Sequence, residues 1–215
     1  MRTAVAALMF CASLAAYGAE PFEIGQLHYD GGGDWYSSAT SIRTWLAELR
    51  SRVGIDTARE ARVVRPVDRD LATTPFVYMN GHGNARFTDA EAASLRRYLT
   101  GGGFLFVNDD YGLDESFRRE IDRVLPGAPL EPIPGAHFIY HCFYDLPGLP
   151  KIHEHDGEPA QGYGIFLNGR MVLYYAYSSD IGDGLEDADV HGDPAIAREQ
   201  AARMATNIVV YALTH

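Results

Sequence analysis

The stretch Gly102-Gly-Phe-Leu-Phe-Val-Asn-Asp-Asp110, "GGFLFVNDD", sets an unbroken apolar run between paired glycines and a polar end. Phe104 to Val107 show no polar alternation, which is the pattern of a strand buried on both faces of a parallel sheet. Just upstream, Thr88 followed by Glu91 is a capping box that opens a helix. Ala92, Leu95 and Leu99 form its apolar side, and Gly101 to Gly103 end it. A second apolar run, "PFVYMNG" (75–81), precedes that helix, so the pair reads as strand, helix, strand.

The same alternation extends in both directions. "FEIGQLHY" (22–29) reads as a first strand ending in the turn "DGGGDWY". Ile42, Trp45, Leu46, Leu49 and Val53 recur at helical spacing before Gly54, with Trp45 in the core. "ARVVRP" is a short second strand closed by Pro66. A helix from Asp114 turns Phe117, Ile121, Val124 and Leu125 inward, and residues 126–162 read as loops and short strands. Asn168-Gly169 between two apolar runs is a hairpin signal. Pro194 starts a last helix, capped by Asp193 and running through Ile196, Met204, Ile208 and Tyr211. Strands alternating with helices predict an α/β fold, a mostly parallel sheet with helices on both faces. No repeat or linker interrupts residues 20–215, which read as one domain.

The beginning of the chain is different. "MRTAVAALMFCASLAAYGAE" has a positive start at Arg2, an apolar run from Ala4 to Ala16 and small residues up to Ala19. It reads as a secretory signal peptide over residues 1–19, too short an apolar run to span a bilayer. Bulky Leu8, Met9 and Phe10 before Cys11 argue against a lipoprotein anchor. The expectation is an exported protein, periplasmic or extracellular, with no membrane span in the mature chain. Cys142 is then its only thiol, so no internal disulfide supports the core.

Charge narrows the partners. The 215 residues carry 18 basic and 29 acidic side chains, a formal net charge of −11, and Lys151 is the only lysine. Nucleic acid and anionic lipid need clustered lysine and arginine, so neither is an expected partner. A small-molecule or glycan-like ligand fits better.

In a doubly wound sheet, ligands sit outside the carboxyl ends of the strands. Those ends carry Gly31-Gly32-Gly33-Asp34-Trp35, then Gly81-His82-Gly83-Asn84, then Asn108-Asp109-Asp110-Tyr111. His82 between two glycines is a candidate catalytic residue, because glycine lets backbone and ligand approach closely. Asp109 and Asp110 are catalytic candidates too. Adjacent side chains diverge, so one should face the crevice and the other cap the next segment; Asp109 is preferred for the crevice. Gly31 to Gly33 can cradle an anion through backbone N–H groups or simply form a tight turn. Trp35, Tyr36 and Tyr111 beside these turns suit sugar rings or peptides.

Farther on, "KIHEHDG" (151–157) places His153 and His155 on one side of an extended segment, beside Glu154 and Asp156. They can ligate a divalent metal, with His141 as a further ligand, bind a polar ligand directly, or decorate a loop. No fixed metal-ligand spacing decides among these. The segment is expected to fold over the strand ends and close the pocket. "SDIGDGLEDAD" (179–189) departs from calcium-loop spacing and reads as a solvated acidic loop.

Taken in order, "YDGGGDWYS", "YMNGHGNARFTDAEAASLRRYLTGGGFLFVNDDYG", "PKIHEHDG", "GYGIF" and "SSDIGDGLED" resemble the DUF4159 family of bacterial proteins over roughly Phe22 to His215. That resemblance implies a flavodoxin-like, class I glutamine amidotransferase-like sheet, and cell-envelope protein partners. Amidotransferases carry a cysteine nucleophile on the turn after the corresponding strand. Here Asn108, Asp109 and Asp110 stand there, so cysteine-dependent glutaminase chemistry is not expected. The functional expectation is a hydrolase-type enzyme with a His/Asp crevice, with a divalent metal as candidate cofactor, acting on a cell-envelope or carbohydrate-like substrate. Its rival is a non-catalytic ligand-binding or cell-envelope assembly module using the same crevice.

Overall fold

Apolar runs become the middle of a sheet because only there can both faces of a strand be covered. The computed structural model describes residues 20–215, and the segment read as a signal peptide, residues 1–19, lies outside them. Its strands are β1 (Gly25–Leu27), β2 (Arg62–Val64), β3 (Phe76–Met79), β4 (Phe104–Asn108), β5 (Glu131–Pro132), β6 (Gln161–Leu167) and β7 (Arg170–Tyr177). They form one seven-stranded sheet in the order β2-β1-β3-β4-β7-β6-β5. The pairs from β2 through β7 are parallel, and the β7-β6 and β6-β5 pairs are antiparallel.

Alternate side chains of the central strands enter two separate cores. Phe76, Tyr78, Phe104, Phe106 and Tyr174 pack under the helices α1 (Ser41–Arg52) and α5 (Ala195–Thr214). Val77, Met79, Leu105, Val107 and Tyr175 pack under α2 (Asp89–Thr100) and α3 (Asp114–Val124). Trp45 of α1 sets its ring edge-on against Phe76, Tyr78 and Phe106, with centroids 5.5 to 5.7 Å apart. Edge-to-face packing of this kind places the ring edge against the negative π-faces.

Local signals formed the elements they announced. Thr88 Oγ1 accepts from Glu91 N while Glu91 Oε2 accepts from Thr88 N, closing the capping box. Asn168 and Gly169 have φ of 52° and 82°, the two left-handed residues of a type I′ turn joining β6 to β7.

Three local expectations fail. The first strand contracts to Gly25–Leu27. Asp193 does not cap α5, having been drawn to a histidine described below, and Ile196 is 71% exposed. The acidic stretch 179–189 is not a solvated loop: Ser179, Asp180, Asp183 and Glu186 are buried, and α4 (Ile181–Leu185) runs through it. Ile181 and Leu185 drag it inward, because both belong to the core beneath α1 and α5. No described helix is long and apolar enough to cross a membrane.

Candidate functional site

The carboxyl ends of β3 and β4 place Asn80 and Asn108, both fully buried, where an apolar strand would meet water. Asn108 organises what lies beyond. Its Oδ1 accepts from Ile181 N at 2.9 Å, and its Nδ2 donates to Asp110 Oδ1 at 2.5 Å and Asp180 Oδ1 at 3.3 Å. Asp110 Oδ2 accepts from Ser37 Oγ at 2.5 Å and from Asn80 Nδ2 at 3.2 Å. One buried carboxylate therefore ties the loops after β1, β3 and β4. Burial pushes the Asp110 carboxyl up to about 6, against the lowering effect of its donors Ser37 and Asn108.

The adjacent acids diverge, and Asp109 both caps the next segment and lines a hollow at the strand ends, while Asp110 is fully buried. Asp109 Oδ1 accepts from Tyr111 N and Leu113 N, and Oδ2 accepts from the Tyr175 hydroxyl at 3.1 Å. Asp109 caps the turn into α3, and Asp110 turns toward the other acids. Tyr111 holds φ of 140° in this turn, and the Leu113 amide beyond it reaches Asp109 Oδ1 at 3.0 Å.

Beyond β7, Ser179 O accepts from Ile152 N and His153 N, fastening the 151–157 segment over the strand ends. His155 Nε2 then meets Asp180 Oδ2 at 2.9 Å, and the His155 ring stacks on Tyr111 at 5.1 Å. The rings of His153 and His155 are 4.9 Å apart, and His153 Nδ1 meets Asp193 Oδ1 at 3.1 Å. Burial and the neighbouring His153 lower the pKa of His155, which favours the neutral, metal-ligating form. Ligand atoms of His153, His155 and Asp183 lie within 4.8 Å of one another, close enough to share a cation. Asp183, Glu186 and His191 form a second such set.

At the opposite rim, Asp34 Oδ1 accepts from His82 N at 2.5 Å and its Oδ2 lies 3.1 Å from His82 Nδ1. The imidazole is half exposed, with Nε2 free of these contacts. An isolated bridge pairs the His82 and Tyr111 backbones, so the line Asp34, His82, Tyr111, His155 is continuous along one edge. A hollow of about 320 Å³ opens at the Tyr111–His155 end of this line, lined by Asp109, Tyr111, Glu115, His155, Tyr177 and Ser178 among others. A larger hollow, about 690 Å³, lies at the other end of the sheet around Thr74, Pro75, Tyr98 and Gly103, and has no histidine or buried acid in its walls. Chemistry, not size, selects the smaller one.

Several expected ligand contacts turn out to be internal. Gly33 N donates to Asn84 O, and a Cβ on Gly33 would stand 2.7 Å from His82 O. A Cβ on Gly31 would stand 2.8 Å from Asn84 O, while Gly32, at φ of 97°, has open space around it. These glycines let two loops pack together, and the run forms a tight turn. Gly81 likewise admits the Tyr29 hydroxyl, and Gly83 takes φ of 78°. Asn84 bridges Gly31 O and Arg119, and Trp35 stacks on His28 at 4.1 Å. His141 is not with His153 and His155: it pairs with Asp145 at 2.5 Å and with Gly135 O. Cys142 packs against α5, donating to Asn207 O, and burial pushes its thiol up to about 11.

Asp180, Asp183, Glu186, His191 and Asp193 are site residues that sequence reading passed over. A signal existed: Ile181 and Leu185, four apart among the acids, are the inward side of a helical turn.

Sheet and site together define a mixed α/β protein with a histidine-and-carboxylate cluster at the carboxyl edge of a mostly parallel sheet. The chain belongs to the family described as Domain of unknown function (DUF4159), whose model matches residues 23–213. No curated protein matches it.

Proposed function

We propose that the protein is an exported hydrolase, assisted by a divalent cation, on a flavodoxin-like, glutamine amidotransferase-like scaffold. The parallel order β2-β1-β3-β4-β7 supports the scaffold, since flavodoxin-like sheets run 2-1-3-4-5 and bind ligands where the order reverses, here between β1 and β3. The observation that carries the function is the meeting of His153, His155 and Asp183 within 4.8 Å beside the rim dyad Asp34–His82. His153, His155 and Asp183 would hold the cation, which would lower the pKa of a bound water toward neutrality. Asp34 fixes the His82 tautomer, leaving Nε2 to take a proton from the attacking water and return one to the leaving group. Tyr111 and Tyr177 give the hollow aromatic walls suited to a carbohydrate-like ring of the cell envelope.

A non-catalytic ligand-binding or envelope-assembly module is the second reading, favoured by the exposure of Tyr36 and Tyr111 beside the rim. Metal analysis of the purified mature protein, with hydrolysis assays on envelope glycans and esters, separates the two. The hydrolase reading expects bound cation and turnover, both lost in His153→Ala/His155→Ala, with turnover alone lost in His82→Ala. A folded protein that takes up no cation at neutral pH with Zn²⁺ and Mn²⁺ supplied would leave only the module.

A further inference from the structure

Asp180, Asp183, Glu186 and Asp193 have side chains 92% buried or more, yet their only ion-pair partners among the described residues are His153, His155 and His191. Arg198 reaches this region but donates to the Glu186 backbone carbonyl, not to its carboxylate. Four buried acids facing three imidazoles leave negative charge that the protein itself does not balance. Buried carboxylates in that condition either stay protonated or hold metal.

Two features show how cations would be distributed. Asp183 belongs to both ligand sets, and a carboxylate has two oxygens to divide between neighbours. The second set is held in place: His191 Nε2 lies 2.7 Å from Glu186 Oε2 and 3.2 Å from Asp183 Oδ1. The other Glu186 oxygen accepts from Thr40 N and Thr40 Oγ1, which fixes the carboxylate plane. Independently, Asp193 Oδ2 is buried and has no hydrogen-bond partner. Asp193 meets the first set through Oδ1 on His153, whose ring lies 5.9 Å from that of His191 in the second. An orphaned carboxylate oxygen there marks a missing positive partner.

We propose that the site holds two divalent cations bridged by Asp183, the first on His153 and His155, the second on Glu186 and His191. This rests on the single-cation reading above and adds the second position. The mixed nitrogen and oxygen donors suit Zn²⁺ or Mn²⁺. Bridged pairs of this type stand about 3.5–4 Å apart and clamp two oxygens of a reacting group at once.

The test uses the mature chain loaded with Mn²⁺, with metal content read by mass spectrometry and coupling by electron paramagnetic resonance. Wild type should hold two Mn²⁺ per chain with an exchange-coupled multiline signal. His191→Gln should hold one, with the six-line signal of an isolated ion. Glu186→Gln serves as the second variant if His191→Gln does not fold, circular dichroism being the control. One ion in wild type, unchanged in the variant, would overturn the pair and leave the single-cation reading standing. Two ions in both would place the second elsewhere and also overturn it. No ion in folded wild type would remove both readings together.

Discussion

His153 and Asp193 lie 40 residues apart in the chain and meet at 3.1 Å, Nδ1 to Oδ1. A carboxylate on one imidazole nitrogen fixes the tautomer and turns the other nitrogen outward, the usual support of a metal-ligating histidine. Asp193→Ala should therefore keep the fold while weakening cation binding by about 10- to 100-fold, measured by titration calorimetry. Unchanged affinity would mean that His153 does not ligate.

Asp110 gives a pH prediction. Its carboxyl is raised from the ordinary 3.8 to about 6, so the folded state holds a proton the unfolded chain has lost. The stability it contributes is complete below about pH 4 and disappears as pH rises through 6, a loss on the order of 3 kcal/mol. His155, lowered by burial, contributes the opposite slope, so the readout is a difference. In chelator-treated protein, the melting temperature of wild type minus that of Asp110→Asn should fall between pH 4.5 and 7.5. A difference that rises across this range would show that Asp110 is not held protonated.

Tyr111 joins backbone strain to a functional contact. At φ of 140° any side chain is strained, and the half-exposed ring recovers some of the cost by stacking on His155. Both Tyr111→Gly and Tyr111→Ala lose the stack, but only glycine relieves the backbone. Denaturant melts should find the glycine variant more stable than the alanine variant by about 1–2 kcal/mol. Equal stabilities would refute the strain.

Trp45 is 1% exposed and touches three aromatic rings of the sheet. Trp45→Ala should cost about 3–5 kcal/mol in urea unfolding, the price of a large aromatic cavity. A loss below about 1 kcal/mol would mean that α1 re-packs freely.

Gly81 has φ of 136°, and a Cβ there would stand 2.3 Å from the Tyr29 hydroxyl. Gly81→Ala should destabilise by about 2 kcal/mol or more and displace His82. Nuclear magnetic resonance of the His82 ring would register the shift, and an unmoved ring would show that the loop yields elsewhere.

What the sequence determined by itself was whatever depends on near neighbours. Phe104 to Val107 had to be buried on both faces because no polar residue interrupts them, Thr88 and Glu91 are within reach of each other across one helical turn, and Asn168-Gly169 can adopt two left-handed residues in succession. Those periodicities dictate a mostly parallel sheet between helices, and the strand-end rule pointed to His82 and to the pair Asp109 and Asp110, with Asp109 preferred. What surrounds Asp110 was decided by the loops that bring Ser37, Asn80 and Asn108 to its carboxylate, and that Asp180, Asp183 and Glu186 are buried was decided by Ile181 and Leu185 joining a core built from distant strands. His191 and Asp193 joined the site, and His141 left it, for the same reason. Side-chain partnerships across 25 to 40 residues depend on where the sheet delivers each loop, and no local pattern carries that information.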